Sequence, residues 1–196
     1  MIPMGRLSTT LVYAPFLAPD DVDPPNEFID YELGGRALND ASEGLQVHTW
    51  TASFDSISAG NVSLAAPGFP ETVIFTAPGI IEISLAFDQN MRPFFAYVQD
   101  GQAKFRWYDT VAGTNVITNL NVADQWPRCC MDDKRDMQAS QGTNDIILAY
   151  VRAGNLYYRQ QRDRFEVEYL LYTGVVGRLV RVGKNTLNRL QFMFEE

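Results

Sequence analysis

Eleven residues of this chain can be laid on eleven others without a gap. Ala96-Tyr-Val-Gln-Asp-Gly-Gln-Ala-Lys-Phe-Arg106 matches Ala149-Tyr-Val-Arg-Ala-Gly-Asn-Leu-Tyr-Tyr-Arg159, with Ala, Tyr, Val, Gly and Arg identical and Phe105 matched in kind by Tyr158. Upstream, Phe94-Phe95 falls on Ile147-Leu148. Further back, Phe87-Asp88 resembles Met131-Asp132 once an insertion within Asp133 to Asn144 is allowed.

The chemistry of the repeated unit is that of a β-hairpin. An apolar strand ends in Ala-Tyr-Val. A glycine then stands at one fixed place, where a positive φ is cheap, and Asp100-Gly101 is a strong two-residue turn signal. In the returning strand Ala103, Phe105 and Trp107 alternate with Lys104, Arg106 and Tyr108, which puts the two sets on opposite faces. A strand, a hairpin and an outer strand recurring at about 40–50 residues is the spacing of propeller blades. A β-sandwich with two similar hairpins satisfies the same pattern. The expectation is an all-β fold with two blade-like β-hairpin repeats (partial propeller or sandwich), near 85–109 and 130–159, within a β-rich domain spanning 31–196.

Two blades cannot close a ring that needs four or more. Three chains could pool six blades, or the blades could stack into one compact sandwich. Either way sheet edges stay open and seek partners, so a homo-oligomer, a trimer or hexamer, is expected.

Other segments read as β or loop. His48–Phe54, Val62–Leu64, Thr72–Thr76 and Ile80–Ala86 read as strands, with Ser58–Asn61 a turn. Residues 31–46 read as loop because Gly34-Gly35 and Gly44 act as breakers. Phe165–Tyr172 alternates, placing Phe165, Val167 and Tyr169 on one face and Glu166 and Glu168 on the other. Arg178–Val182 and Thr186–Phe192 read as a closing hairpin. No long segment has helical periodicity.

Residues 1–30 differ from the rest. Five of the ten prolines fall there, at Pro3, Pro15, Pro19, Pro24 and Pro25, and proline disfavours regular sheet. Leu11, Val12, Tyr13, Phe16, Leu17, Phe28 and Ile29 make the segment too apolar for an ordinary disordered tail. It reads as an extended arm that lies on another surface, such as a neighbouring subunit.

A search for chemistry finds no constellation. The one histidine, His48, stands beside Trp50 and reads as structural. There is no Gly-x-Ser-x-Gly elbow, phosphate loop or dinucleotide fingerprint. Cys129, Cys130 and His48 lack a zinc spacing. Asp132, Asp133 and Asp136 lack the alternating oxygens and glycine of a calcium loop, and Lys134 and Arg135 interrupt them. Glu166 and Glu168, roughly 7 Å apart on one strand face, have the separation of an inverting glycosidase pair, but amphipathic strands make such pairs routinely. No catalytic, cofactor-binding or metal residue is assigned, and no cofactor.

The formal net charge of −8 argues against direct nucleic-acid binding. Two adjacent cysteines form no disulfide framework; a strained vicinal bridge is the alternative to two reduced thiols in a reducing compartment. No secretory signal is apparent and no apolar run reaches the length of a membrane span.

The stretch Leu85-Ala-Phe-Asp-Gln-Asn-Met-Arg-Pro-Phe-Phe-Ala-Tyr-Val-Gln-Asp-Gly101, with Asp145–Arg152, Leu156–Phe165 and Gly34-Gly-Arg-Ala-Leu-Asn-Asp40, resembles tail-associated virion proteins of tailed bacteriophages. The resemblance covers roughly residues 30–192. It implies a structural component of the virion, at the tail or tail tip, made in the host cytoplasm. Such proteins work as symmetric rings or trimers that hold fibres or other tail proteins, and they carry no active-site residues. The competing expectation is a lectin-like receptor- or glycan-binding module, with Trp107, Tyr157 and Tyr158 as sugar-stacking candidates.

Overall fold

The computed structural model describes residues 29–38, 45–88, 92–132, 145–184 and 190–195. The fold is all-β, with four antiparallel sheets taken in chain order. The first sheet is β1 (Ile29–Leu38), β2 (Leu45–Phe54), β3 (Asn61–Ala66) and β4 (Phe69–Thr76). The second is β5 (Ile80–Phe87), β6 (Pro93–Gln99), β7 (Gln102–Asp109) and β8 (Thr114–Asn119). The third is β9 (Gln125–Asp132), β10 (Asp145–Arg152), β11 (Asn155–Gln160) and β12 (Tyr169–Thr173). The fourth has two strands, β13 (Arg178–Lys184) and β14 (Leu190–Glu195). In every sheet each strand pairs with its neighbour in sequence.

The sheets pack on one another in the same order. Ala52, Phe54, Val62 and Leu64 of the first meet Ile83, Leu85, Phe95 and Tyr97 of the second. Phe94, Ala96, Phe105 and Trp107 of the second meet Ile146, Leu148 and Tyr150 of the third. Ala149, Val151 and Leu156 of the third meet Leu179, Val182 and Phe192 of the fourth. A strand in a middle sheet thus buries both faces, which is why β6 and β10 read as unbroken apolar runs rather than alternating ones. The leading strands β1, β5, β9 and β13 lie next to one another, each against the leading strand of the following sheet.

The sequence repeat occupies equivalent places. Ala96–Arg106 forms the β6–β7 hairpin and Ala149–Arg159 the β10–β11 hairpin, closed by Gln99↔Gln102 and Arg152↔Asn155. Both central turn residues have positive φ in each: 52° and 74° at Asp100 and Gly101, 50° and 72° at Ala153 and Gly154. That is the geometry favoured in two-residue hairpins, because its twist matches that of the strands. Alanine is a poor occupant of it, since its Cβ crowds the backbone in the left-handed region. Ala153→Asn is therefore expected to stabilise the protein by about 1 kcal/mol, read as a higher denaturation midpoint with an unchanged slope; an unchanged or lower midpoint would count against the turn assignment.

The repeat also sets which neighbour each residue meets. Tyr97 faces the preceding sheet and so does Tyr150, whereas Ala96 and Ala149 face the following one. Five identities in eleven positions thus record two sheets stacked in the same sense.

Two expectations need correction. Residues 31–46 are not loop: most belong to β1 and the start of β2, with pairs such as Tyr31↔Thr51 and Leu38↔Leu45. Gly34-Gly35 is a bulge, where the register shifts between Gly34 and Arg36. Glycine inside a strand marks such a site. Second, Phe165–Tyr172 is not one strand. A turn of 3₁₀ helix at Gln161–Asp163 leads into positive φ at Arg164 and Phe165, and strand begins only at Tyr169. Phe165 packs between the second and third sheets while Val167 is exposed. The two repeats near 85–109 and 130–159 lie in the second and third sheets, and among the described residues the first sheet is a meander of the same strand order that the repeat does not reveal. The expected arm, residues 1–30, lies outside the described residues except for its last two positions, which begin β1. The expected insertion, 133–144, also lies outside them.

Candidate functional site

Three clusters of buried polar groups tie one sheet to another or fix a loop upon a sheet. The first lies on the leading strands. Glu82 on β5 accepts from Arg128 on β9 and Arg178 on β13, each at 2.6 Å from the same carboxylate oxygen Oε1. Glu82 and Arg128 are buried. Arg128 also donates through Nε to the Val180 carbonyl at 2.8 Å and through Nη1 to the Pro127 carbonyl at 2.9 Å. Ser84 has a similar role in the preceding sheet: its Oγ accepts the Cys129 N–H at 3.2 Å. Ser84 opposes Ala96 and Arg128 opposes Ala149, so the two linkers hold matching positions of the repeat. Each reaches the backbone of the next leading strand.

The second cluster joins the turn before β9 to the third sheet. Tyr150 donates to Glu168 Oε2 at 2.5 Å and accepts from Arg159 Nε at 2.8 Å. Arg152 ion-pairs with Glu168, lies 3.3 Å from Asp124, and sits 4.4 Å above the Tyr157 ring. Burial alone would raise the Glu168 pKa. The hydrogen bonds from Tyr150 and Arg152, with the charges of Arg152 and Arg159, outweigh burial and lower it. Burial pushes Asp124 upward against the Asn121 N–H and Arg152. Burial, then the hydrogen bond to Glu168, raises the Tyr150 phenol, so it is held as a neutral donor at physiological pH.

The sign of the Glu168 shift gives a test. A depressed folded pKa adds stability that is full above the ordinary glutamate value, about 4.3, and is lost as pH falls through the folded value. Asp124 acts in the opposite direction. Glu168→Gln is expected to flatten the loss of melting temperature below about pH 4.3 and to lower it at neutral pH. An unchanged acid slope in thermal melts would refute the linkage.

The third cluster is a bidentate clamp. Arg164, just past the 3₁₀ turn, donates to both carboxylate oxygens of buried Asp109 at the end of β7, at 2.6 and 3.1 Å. It fastens the second sheet to the third.

The residues singled out from sequence do not converge. Glu166 is exposed and lies 3.6 Å from Arg164, while Glu168 belongs to the second cluster, so the two carboxylates have separate partners. Cys129 and Cys130 are buried thiols that pack into the cores on opposite faces of β9, not joined in a vicinal bridge. His48 pairs through its backbone position with Gly34. Asp132 pairs in register with Asp145, whereas Asp133 and Asp136 lie outside the described residues. Among the described residues no group of three or more His, Cys, Asp or Glu side chains could hold a metal ion. No helix among them is long and apolar enough to cross a membrane.

The three aromatic candidates are engaged in packing. Trp107 is buried with its ring edge-on to Phe165, centroids 5.1 Å apart. Tyr157 lies beneath Arg152, and Tyr158 stacks on Tyr169 at 5.0 Å. Sequence reasoning missed Asp109, Asp124, Glu82 and Arg128. The repeated Tyr and Arg signalled only part of the second cluster. Arg159 hydrogen-bonds Tyr150, and the Arg106 charge acts on Tyr97, whose phenol burial pushes up to about 12.

The chain matches no family model, no curated protein and no solved structure.

Proposed function

We propose that the protein is a non-enzymatic structural component of a virion, in the tail or tail tip, which assembles symmetrically and docks fibres or other tail proteins. One observation carries the reading: among the described residues one sheet is narrower than its neighbours. Three of the described sheets have four strands and the fourth has two. An edge left open on a two-stranded sheet is marginal alone and seeks completion. The resemblance of Leu85–Gly101, Asp145–Arg152 and Leu156–Phe165 to tail proteins supplies the setting. The charged clusters support a scaffold rather than a reaction centre, because each ties one sheet to another or fixes a loop upon it.

The strand count bears on how such an assembly would be built. Each chain brings nearly four sheets, so three copies would exceed the four to eight blades of ordinary propellers. Two copies in one ring stay within it. A trimer or hexamer would then be built from chains that stack or associate outside a single ring. Light scattering on the eluting protein at high concentration tests this reading. A mass that is a whole multiple of the chain, with rotational symmetry in electron micrographs, supports it; a stable monomer without symmetric particles overturns it.

A further inference from the structure

We propose that β14 takes residues 7–14 of a second copy as an added strand. This rests on the self-assembly reading above and names the surface that carries it.

Among the described residues, β14 pairs with β13 and has no strand on its other side. Its sequence, Leu190-Gln-Phe-Met-Phe-Glu195, holds no proline or lysine and one charge, at its end. Natural edges are commonly blunted by such residues. The outer strand of the first sheet is an example, with Pro70 and Glu71 in β4. β8 is blunted in another way, with Thr and Asn at four of six places. The ground beside β14 is prepared as well. Tyr158 on β11 and Leu171 on the outer strand β12 pack at the margin of the core shared with the fourth sheet and are only partly covered. Tyr169 stacks on Tyr158. An added strand would roof this apolar ledge.

The segment before β1 has one stretch suited to the place. Leu7-Ser-Thr-Thr-Leu-Val-Tyr-Ala14 lies in the proline-free window between Pro3 and Pro15 and is rich in strand-favouring residues. As a strand it would set Leu7, Thr9, Leu11 and Tyr13 on one face, an apolar face to meet the ledge. Residues 15–28, with four prolines, would span at most about 50 Å to β1. β1 belongs to the first sheet, at the opposite end of the stack from β14. In a head-to-tail array the first sheet of one copy follows the fourth sheet of the previous one. The neighbour's segment therefore arrives beside β14.

The test uses the full chain and two variants, Thr10→Pro, which removes a strand donor from the segment, and Gln191→Lys, which charges the edge. Each is expected to weaken self-association about tenfold or more, read by light scattering across a dilution series, with unchanged circular dichroism. A third variant carrying Tyr13→Cys and Gln191→Cys, treated with a short bismaleimide, is expected to yield a product of twice the chain mass. An oligomer indifferent to both single variants overturns the proposal while sparing the assembly reading. A cross-link confined to one chain, with a monomeric mass, overturns the second copy as the source. A monomer that shows neither effect overturns both.

Discussion

Replacing Glu82 with Leu is expected to destabilise the protein by about 3–5 kcal/mol, the cost of stranding one partner of a buried ion pair. Arg128 would keep its bonds to the Val180 and Pro127 carbonyls but lose its carboxylate partner. Both side chains are under a tenth exposed, so water screens little of the loss. At about 2–4 °C per kcal/mol for a chain of this size, the melting temperature should fall by roughly 10 °C. Combining Glu82→Leu with Arg128→Met should recover much of it, because apolar replacement of a whole buried pair is often neutral. A single-variant loss under about 1 kcal/mol would mean that the pair is solvated. Arg178, a quarter exposed, can turn to water and so contributes less.

Phe165→Ala is expected to cost about 3–5 kcal/mol through the cavity it leaves. The ring is 2% exposed and touches three others, Phe94, Phe105 and Trp107, with each centroid 5.1 Å away. Because Trp107 lies edge-on to it, the folded-state tryptophan emission should shift to longer wavelength in the same variant. Unfolding by urea, followed through that emission, measures both. A small loss with an unshifted spectrum would show that neighbouring rings collapse into the space. Phe165→Leu should recover some of the stability, since it refills a share of the volume.

Phe165 also marks where sequence reasoning stops. Its alternation with Val167 and Tyr169 has the period of a strand, yet backbone with positive φ turns the ring into the gap between two sheets. Period-two patterns record side-chain polarity, and this segment keeps the polarity while abandoning the extended backbone. The glycine pair at Gly34-Gly35 misleads in the other direction. Glycine breaks many strands, but here it makes a bulge within one. The hairpins were legible because turn chemistry is local: Gly101 and Gly154 admit positive φ beside the strands that they join. The clusters were not. Glu82 and Arg178 are bonded across 96 positions, and no local pattern pairs a particular acid with a particular arginine at that range. The first sheet is hidden from a repeat search because its central hairpin has a longer loop, so it shares no register with the other two.

The order of the strands has a consequence for how the chain comes to be folded. Every ladder joins consecutive strands, and every apolar layer joins consecutive sheets. No ladder among the described residues waits for a distant stretch of sequence. Loop-closure entropy therefore stays small at each step, and the molecule behaves as a one-dimensional array in which each unit rests on the one before. Emerging from the ribosome at about 5–20 residues per second, it can lay down its sheets in the order of synthesis.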